Sequence, residues 1–265
     1  MWGRVRNTRV IGYEDTPRDV VATGNDYPAG LVLPSHKHKR GQCLYAVEGV
    51  LTVTTSEGSW LVPPYRALWI PSGVTHAVHM GGHTSTRSAY VLPEVATAAG
   101  LPVHCTVISV SPLLHALLSE AVDLPAEYTL GSRDDYLMRL LVQEIARMPA
   151  LPLNTPLPQE PRLARLCHAL LQSPSLNIDI DTMAGHADMS RRSFTRLFRE
   201  QTGMSFSHWR QQACLLAALA RLAHGQSVTR VAMELGYSST SAFAAAFRRT
   251  LGATPSHYLA SRDMS

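Results

Sequence analysis

Hydrophobic and polar positions follow a period of two residues in the first hundred residues of the chain. Short runs rich in β-branched and aromatic residues are separated there by glycine and proline, at 43–47, 50–55, 59–62, 67–70, 76–80 and 88–92. Alternation of this kind, with frequent turn residues, is typical of strands in a β-sandwich or small barrel. We therefore expect β structure over residues 7–108.

Two segments that follow have helical periodicity. One covers residues 111–124 and starts with Ser-Pro, and the other covers residues 132–148 and has a mostly apolar stripe. The sequence thus predicts a helical hairpin over residues 109–148. Two packings are open for it: against its own domain, or against a second subunit in a homodimer.

Residues 149–161 contain five prolines in thirteen residues, which excludes an interior helix or a central strand. We interpret this segment as a stiff, extended linker. From residue 162 to residue 265 the pattern is helical, with segments divided by glycines. The fold class expected is therefore α+β multidomain, with a domain of β-strands and a helical hairpin before an all-α domain.

Charge and composition narrow the function. Residues 160–265 hold twelve arginines and seven acidic residues, whereas residues 1–159 hold twelve basic and thirteen acidic residues. The basic excess of the helical part suits a polyanion partner. The four scattered cysteines suit a reducing compartment. With no run of eighteen apolar residues and no apolar segment after the first basic residues, we expect a cytoplasmic protein with no membrane partner.

The helical part repeats itself. Matching residues recur at an offset of forty-nine positions, as Phe194 and Phe243, Phe198 and Phe247, Gly203 and Gly252, and Trp209 and Tyr258. Each copy has the pattern of a helix-turn-helix, with a serine that starts the second helix. The phenylalanines lie four residues apart, so they bury one face of that helix and leave the other face outward. Two helix-turn-helix units indicate a protein that binds double-stranded DNA.

The two outward faces differ in chemistry. In the first unit we expect Arg192, Thr195 and Arg196 to read bases, because arginine bonds guanine through two donors in the major groove. We expect Arg191 and Arg199 to contact phosphate.

In the second unit the outward positions near the bases are Thr240, Ser241, Ala244 and Ala245. Alanine can contact only a thymine methyl group, so base reading there should be loose. Arg248 and Arg249 would contact phosphate and position the unit.

The run GYSSTSAFAAAFRRTLGATPSHY at residues 236–258 resembles the C-terminal signature of the AraC/XylS family of bacterial regulators. The resemblance covers about residues 160–260. It implies seven helices, with a long one from about residue 205 to residue 224 that bridges two recognition helices. It further implies that these helices enter successive major grooves on one face of DNA. It does not tell an activator from a repressor.

The first domain resembles the cupins in two motifs. Residues 36–42 followed by Gly49 are similar to the first cupin motif, and residues 71–76 are similar to the second. His36, His38 and His76, with Gln42 in place of the usual glutamate, are candidate ligands for Zn, Ni, Co, Fe or Mn. The alternative is that these residues line a pocket for an organic effector and hold no metal.

Four aromatic residues are candidates for the wall of such an effector pocket: Tyr45, Trp60, Trp69 and Tyr90. The leading hypothesis is a transcription regulator, activator or repressor, whose DNA binding is controlled by a small molecule or metal in a cupin domain at residues 1–108. The alternative is a metal-dependent cupin enzyme fused to a DNA-binding domain. Because Gln42 replaces the expected glutamate, no acid–base pair stands out, and we expect no enzymatic activity.

Overall fold

The computed structural model describes residues 13–223, 225–251 and 254–256. These residues form two compact units, one built from the chain up to Thr55 with Trp60–Leu151, the other from Ser56–Ser59 with the chain from Pro152 onward. Within the described residues, no helix has the length and apolar character needed to cross a membrane. The expected α+β arrangement, β-sheets before a helical part, is confirmed.

The first unit contains two antiparallel sheets. One has the strand order β1-β8-β3-β6-β9-β10, and in the other β5, β4, β7 and β2 are consecutive neighbours. The strands of this unit are β1 (Val20–Tyr27), β2 (Val32–His36), β3 (Gly41–Glu48), β4 (Leu51–Thr54), β5 (Gly58–Val62, of which the first two residues belong to the second unit), β6 (Arg66–Ile70), β7 (His76–Met80), β8 (Thr84–Val91), β9 (Thr106–Ser109) and β10 (Ala150–Leu151). A short 3₁₀ helix, Tyr13–Asp15, precedes them.

One face of the first sheet is covered by helices. These are α1 (Pro93–Ala98), α2 (Pro112–Ala121) and α3 (Arg133–Arg147). The sequence pattern did not predict α1, which lies in the region expected to be β structure. Leu114, Leu118 and Leu141 are fully buried against this sheet. The hairpin of α2 and α3 thus packs on its own unit. Leu113, Tyr136 and Leu140 stay exposed on it, and a homodimer remains a prediction.

The proline-rich segment is not a free linker. Residues 150 and 151 pair with β9 at the edge of the first sheet. Strand β11 (Asn154–Pro156) lies beside the first residues of β5, where the Leu157 amide donates to the Glu57 carbonyl at 2.9 Å. Prolines are tolerated here because both strands lie at sheet edges, where a missing N–H breaks no ladder. The extended conformation was expected, but the hydrogen bonds on both sides of Pro152 were not.

The second unit holds six described helices. They are α4 (Pro161–Gln172), α5 (Ile180–His186), α6 (Arg191–Thr202), α7 (Phe206–Ala223), α8 (Val228–Glu234) and α9 (Thr240–Leu251). The long helix expected from about residue 205 is α7. The end of the family signature, from residue 257, lies outside the described residues, as do residues 1–12 of the first domain.

Candidate functional site

The first helix-turn-helix consists of α5 and α6. Ser190 caps α6 by accepting from the Ser193 amide, and Gly203, with a φ of 71°, ends it in a left-handed turn. Phe194 and Phe198 stack with ring centroids 5.5 Å apart, and both meet the Phe206 ring at 5.6 Å. This aromatic packing fixes which face of α6 is outward.

The outward face of α6 carries the side chains expected to contact DNA. Arg191, Arg192, Thr195, Arg196 and Arg199 are all exposed and, with Glu200, line one surface depression. The sequence analysis did not single out Glu200, although it lies four residues after Arg196, the usual spacing of a helical ion pair.

Two of these arginines are held in ion pairs on the surface. Arg191 lies 2.9 Å from Asp181, and Arg196 lies 3.1 Å from Glu200. All four side chains are at least 60% exposed, so each pair stabilises the chain by at most about 1 kcal/mol. Both arginines can therefore exchange their carboxylates for DNA at little cost.

The second helix-turn-helix consists of α8 and α9. Ser227 caps α8 by accepting from the Arg230 amide, and Ser239 accepts from the Ala242 amide at the start of α9. Phe243 and Phe247 are fully buried, as their counterparts are in the first unit.

The outward face of α9 has polar residues at both ends and alanines between them. The exposed predicted residues are Thr240, Ser241, Ala245, Arg248 and Arg249, and Ala244 is half-buried. The structure thus presents an arginine-rich recognition surface on α6 and a plainer one on α9.

The histidine cluster lies between the two sheets of the first unit. His36 and His76 are directly paired residues of β2 and β7, and His38 follows the end of β2. Ligand atoms of the three imidazoles lie within 4.8 Å of one another. We would expect His76, which comes from the second motif, on a strand facing the first motif, but it lies on the neighbouring strand of the same sheet.

Gln42 approaches the cluster from the other sheet. Its amide nitrogen donates to Ser88 Oγ at 3.1 Å and to Tyr90 Oη at 3.2 Å. Its Oε1 is buried and has no hydrogen-bond partner in the structure. Gln42 therefore presents an oxygen acceptor, as a neutral fourth ligand would.

Hydrogen bonds set the orientation of two imidazoles. Nδ1 of His36 lies 2.7 Å from the Pro34 carbonyl, and Nδ1 of His76 lies 2.9 Å from the Val74 carbonyl. A carbonyl only accepts, so each of these Nδ1 atoms carries a proton, and in the neutral form of the ring Nε2 then has the free lone pair. Among the described residues, Nε2 of His76 and Nε2 of His38 are buried and have no hydrogen-bond partner.

The environment of His38 and of His76 favours the neutral imidazole. Burial, and then the neighbouring His36 and His76, lower the pKa of His38 to about 4. Burial is also the largest cause that lowers the pKa of His76. Neutral imidazole is the form that binds metals.

The cavity at this cluster is small, about 50 Å³. Of the four aromatic residues expected to wall an effector pocket, Tyr90 lines it. Tyr45 and Trp69 instead pack with the helices on the opposite face of the first sheet, because they alternate with the cavity-facing positions of their strands. Trp60 is buried but is not part of the cavity wall. For these three residues the expectation was wrong.

A family model described as a helix-turn-helix domain matches residues 183–261. The chain is 32% identical over 252 residues to the HTH-type transcriptional regulator NimR of Escherichia coli K12. The aligned region covers 94% of this chain and 91% of NimR. It is also 37% identical over 130 residues to the HTH-type transcriptional regulator RipA of Corynebacterium glutamicum, a match that covers 48% of this chain and 39% of RipA.

Among solved structures, the DNA-binding domain of AdpA, a global transcriptional factor in complex with a target DNA, matches at 36% identity with a TM-score of 0.36. That match covers 38% of this chain and 91% of the AdpA chain. The resemblance in residues 236–258, the two helix-turn-helix units and the near full-length match to NimR agree. The chain belongs to the AraC/XylS family of DNA-binding transcription regulators.

Proposed function

We propose that this regulator reads its DNA sequence mainly with α6 and uses α9 mainly to position the second unit. The observation that carries the proposal is the contrast between the two exposed faces. On α6, Arg192, Thr195 and Arg196 offer donors that suit base edges, whereas the central exposed residue of α9 is Ala245.

Four further arginines surround these positions and are suited to phosphate: Arg191, Arg199, Arg248 and Arg249. Contacts of this kind fix the register of a protein on DNA and carry no sequence information. We propose a sensor domain at residues 1–108, a helical hairpin at residues 109–148 and a DNA-binding unit from residue 152 to residue 265. The DNA-binding unit thus includes most of the segment expected to be a linker. We infer a cytoplasmic location, because a bacterial transcription regulator binds its DNA there.

The experiment is a selection of duplexes from a random pool by the full chain. We expect a well-defined sequence in the half-site read by α6 and a degenerate one in the half-site read by α9. Equal information in both half-sites, or no enrichment, would contradict the proposal.

We further propose that the first unit is a cupin-type sensor and that its effector is a divalent transition-metal ion. Three imidazoles and the oxygen of Gln42 form a ligand set suited to Zn, Ni, Co, Fe or Mn. Nε2 of His38 and Nε2 of His76, which have no partner among the described residues, support a bound metal. A buried polar atom without a partner is costly unless a ligand bonds to it.

The size of the cavity favours a metal over an organic effector. Pockets for drug-sized molecules measure about 300–1,000 Å³, whereas this one measures about 50 Å³. A metal ion with one or two water molecules suits that volume. The aromatic residues Tyr45 and Trp69, expected to enlarge such a pocket, pack elsewhere.

The same cavity argues against the enzyme alternative. Among the described residues that line it, none carries a carboxylate for acid–base chemistry, and an organic substrate would not fit. The relatives reported above are named as regulators. We infer that metal binding in this unit serves control of DNA binding.

The test of the metal is elemental analysis of the purified full chain after loading with Zn²⁺ or Co²⁺ and removal of excess ion. We expect one equivalent in the wild-type chain and a large loss in His76→Ala. His79→Ala is a matched control, since His79 lies on the same strand but is exposed. No metal retained by the wild-type chain would refute the metal proposal.

A further inference from the structure

The short helix Tyr13–Asp15 contacts the histidine cluster from outside. Tyr13 Oη lies 2.5 Å from Nδ1 of His38, and Glu14 Oε1 lies 3.6 Å from the same nitrogen. The other oxygen of Glu14 accepts from the Lys39 amide at 2.7 Å. This helix precedes the motif that carries the histidines by more than twenty residues, and the sequence analysis assigned it no role.

Tyr13 and Glu14 contact Nδ1 of His38, the nitrogen that in the other two histidines is bonded to a backbone carbonyl. In His36 and His76 a backbone carbonyl holds the proton on Nδ1. Among the described residues, no backbone carbonyl bonds Nδ1 of His38, which instead faces the hydroxyl of Tyr13 and the carboxylate of Glu14. A tyrosine hydroxyl can donate or accept, so it does not by itself fix the tautomer. A carboxylate attracts a proton and repels a lone pair, so the carboxylate of Glu14 favours the tautomer with the proton on Nδ1 of His38.

We propose that Glu14 is a positioning residue of the metal site: its carboxylate holds the proton of His38 on Nδ1, so that Nε2 faces a divalent transition-metal ion together with His36 and His76. The proposal rests on the metal-binding function proposed above. Pairing of a carboxylate with a metal-bound histidine recurs in metalloproteins and typically contributes 10- to 100-fold to metal affinity.

Hydrogen bonds and a ring contact anchor the short helix Tyr13–Asp15 on the first unit. Arg40 is 1% exposed and donates to the carbonyls of Thr16 at 2.7 Å and Arg18 at 2.8 Å, in the segment that follows the helix. The ring of Tyr13 stacks on Tyr90 with centroids 4.2 Å apart. Tyr90 in turn accepts from the Gln42 amide, so one network joins the helix to two candidate ligands.

Two variants separate the role of Glu14 from a general effect of charge. Glu14→Gln removes the carboxylate beside His38. Asp15→Asn removes one negative charge from the same helix, at a carboxylate that pairs with Lys39 Nζ at 3.0 Å on the exposed side. Glu14→Asp keeps the carboxylate and serves as a rescue variant. Thermal unfolding of each full-length chain checks that the fold is kept.

The first measurement is a Co²⁺ titration of the full chain, followed by visible absorption in competition with a chelator. We expect Glu14→Gln to bind Co²⁺ about 10- to 100-fold more weakly than the wild-type chain, with an altered absorption band. Asp15→Asn should bind as the wild type does, and Glu14→Asp should recover part of the affinity. Wild-type affinity in Glu14→Gln would overturn the role of Glu14 and leave the metal proposal intact.

The second measurement uses the metal-free chain. Long-range ¹H–¹⁵N correlation spectra report which nitrogen of His38 carries the proton. We expect Nδ1–H in the wild-type chain and in Asp15→Asn, and a shift toward Nε2–H in Glu14→Gln. An unchanged tautomer in Glu14→Gln would overturn the proposal. A wild-type chain that binds no Co²⁺ would overturn this proposal and the metal proposal together.

Discussion

Gly49 lies where two connections between the sheets touch. It follows β3, which belongs to the first sheet, before the chain enters β4 in the second. A Cβ atom at Gly49 would lie 2.4 Å from the carbonyl oxygen of His83 and 2.9 Å from Cα of Thr84, in the return connection from β7 to β8. These contacts are with backbone, which cannot rotate away. Gly49→Ala should therefore push the two connections apart.

The magnitude can be worked out with a matched glycine. Gly73 has the same φ of 77° as Gly49, but a Cβ there meets nothing within 4 Å. Gly73→Ala thus carries only the left-handed backbone penalty, about 1–2 kcal/mol. Gly49→Ala carries that penalty and an overpacking cost of about 1–3 kcal/mol more.

Urea unfolding of the full chain, followed by tryptophan fluorescence, measures both variants. Trp60 and Trp69 are buried in this unit and Trp209 is buried in the second, so the part of the fluorescence transition that the two variants shift relative to the wild-type chain is assigned to the first unit. We expect Gly49→Ala to destabilise the first unit by at least about 1 kcal/mol more than Gly73→Ala. Equal losses in the two variants would refute the reasoning that the connections meet at Gly49.

Three other variants probe the DNA surface and the packing of α2. Fluorescence anisotropy should show that Arg196→Ala weakens binding to the selected duplex by roughly 1–3 kcal/mol, with a smaller loss on random DNA. Equal losses on both duplexes would refute base reading by Arg196. Arg248→Ala should weaken binding to both duplexes alike and lower the salt dependence by about one counterion; a loss confined to the selected duplex would overturn its assignment to phosphate. Tyr45→Phe removes the 2.7 Å hydrogen bond to His115 and should cost about 1 kcal/mol in urea unfolding; an unchanged transition would show that this bond does not stabilise the helix hairpin.

The helical domain was predictable because its signals are local. The caps Ser190 and Ser227, the buried pairs of phenylalanines and the glycine after α6 each determine structure within a few residues. The strands were predictable for the same reason, since alternation shows which side of a strand is buried. The strand pairings at residues 150–156 were not, because an edge strand depends on a distant partner that proline content does not reveal.

The candidate metal site was partly predictable. His36 and His38 are two residues apart, and a strand directs such residues to the same side, so their proximity follows from the sequence. The roles of Tyr13 and Glu14 depend on contacts across more than twenty residues and on the anchoring by Arg40. The aromatic pocket was mispredicted, because the register that turns Tyr45 toward the helices is set by pairing with β6 and β8.

We propose that a metal ion in the first unit controls DNA binding by the second. The most direct test measures the affinity of the full chain for its selected duplex, by fluorescence anisotropy, in metal-free and metal-loaded form. We predict a ratio of dissociation constants of about 5- to 150-fold, the usual range of coupling between sites, and no change with metal in His76→Ala. If the wild-type chain binds the metal but has the same affinity for DNA in both forms, the proposal that the metal controls DNA binding is contradicted.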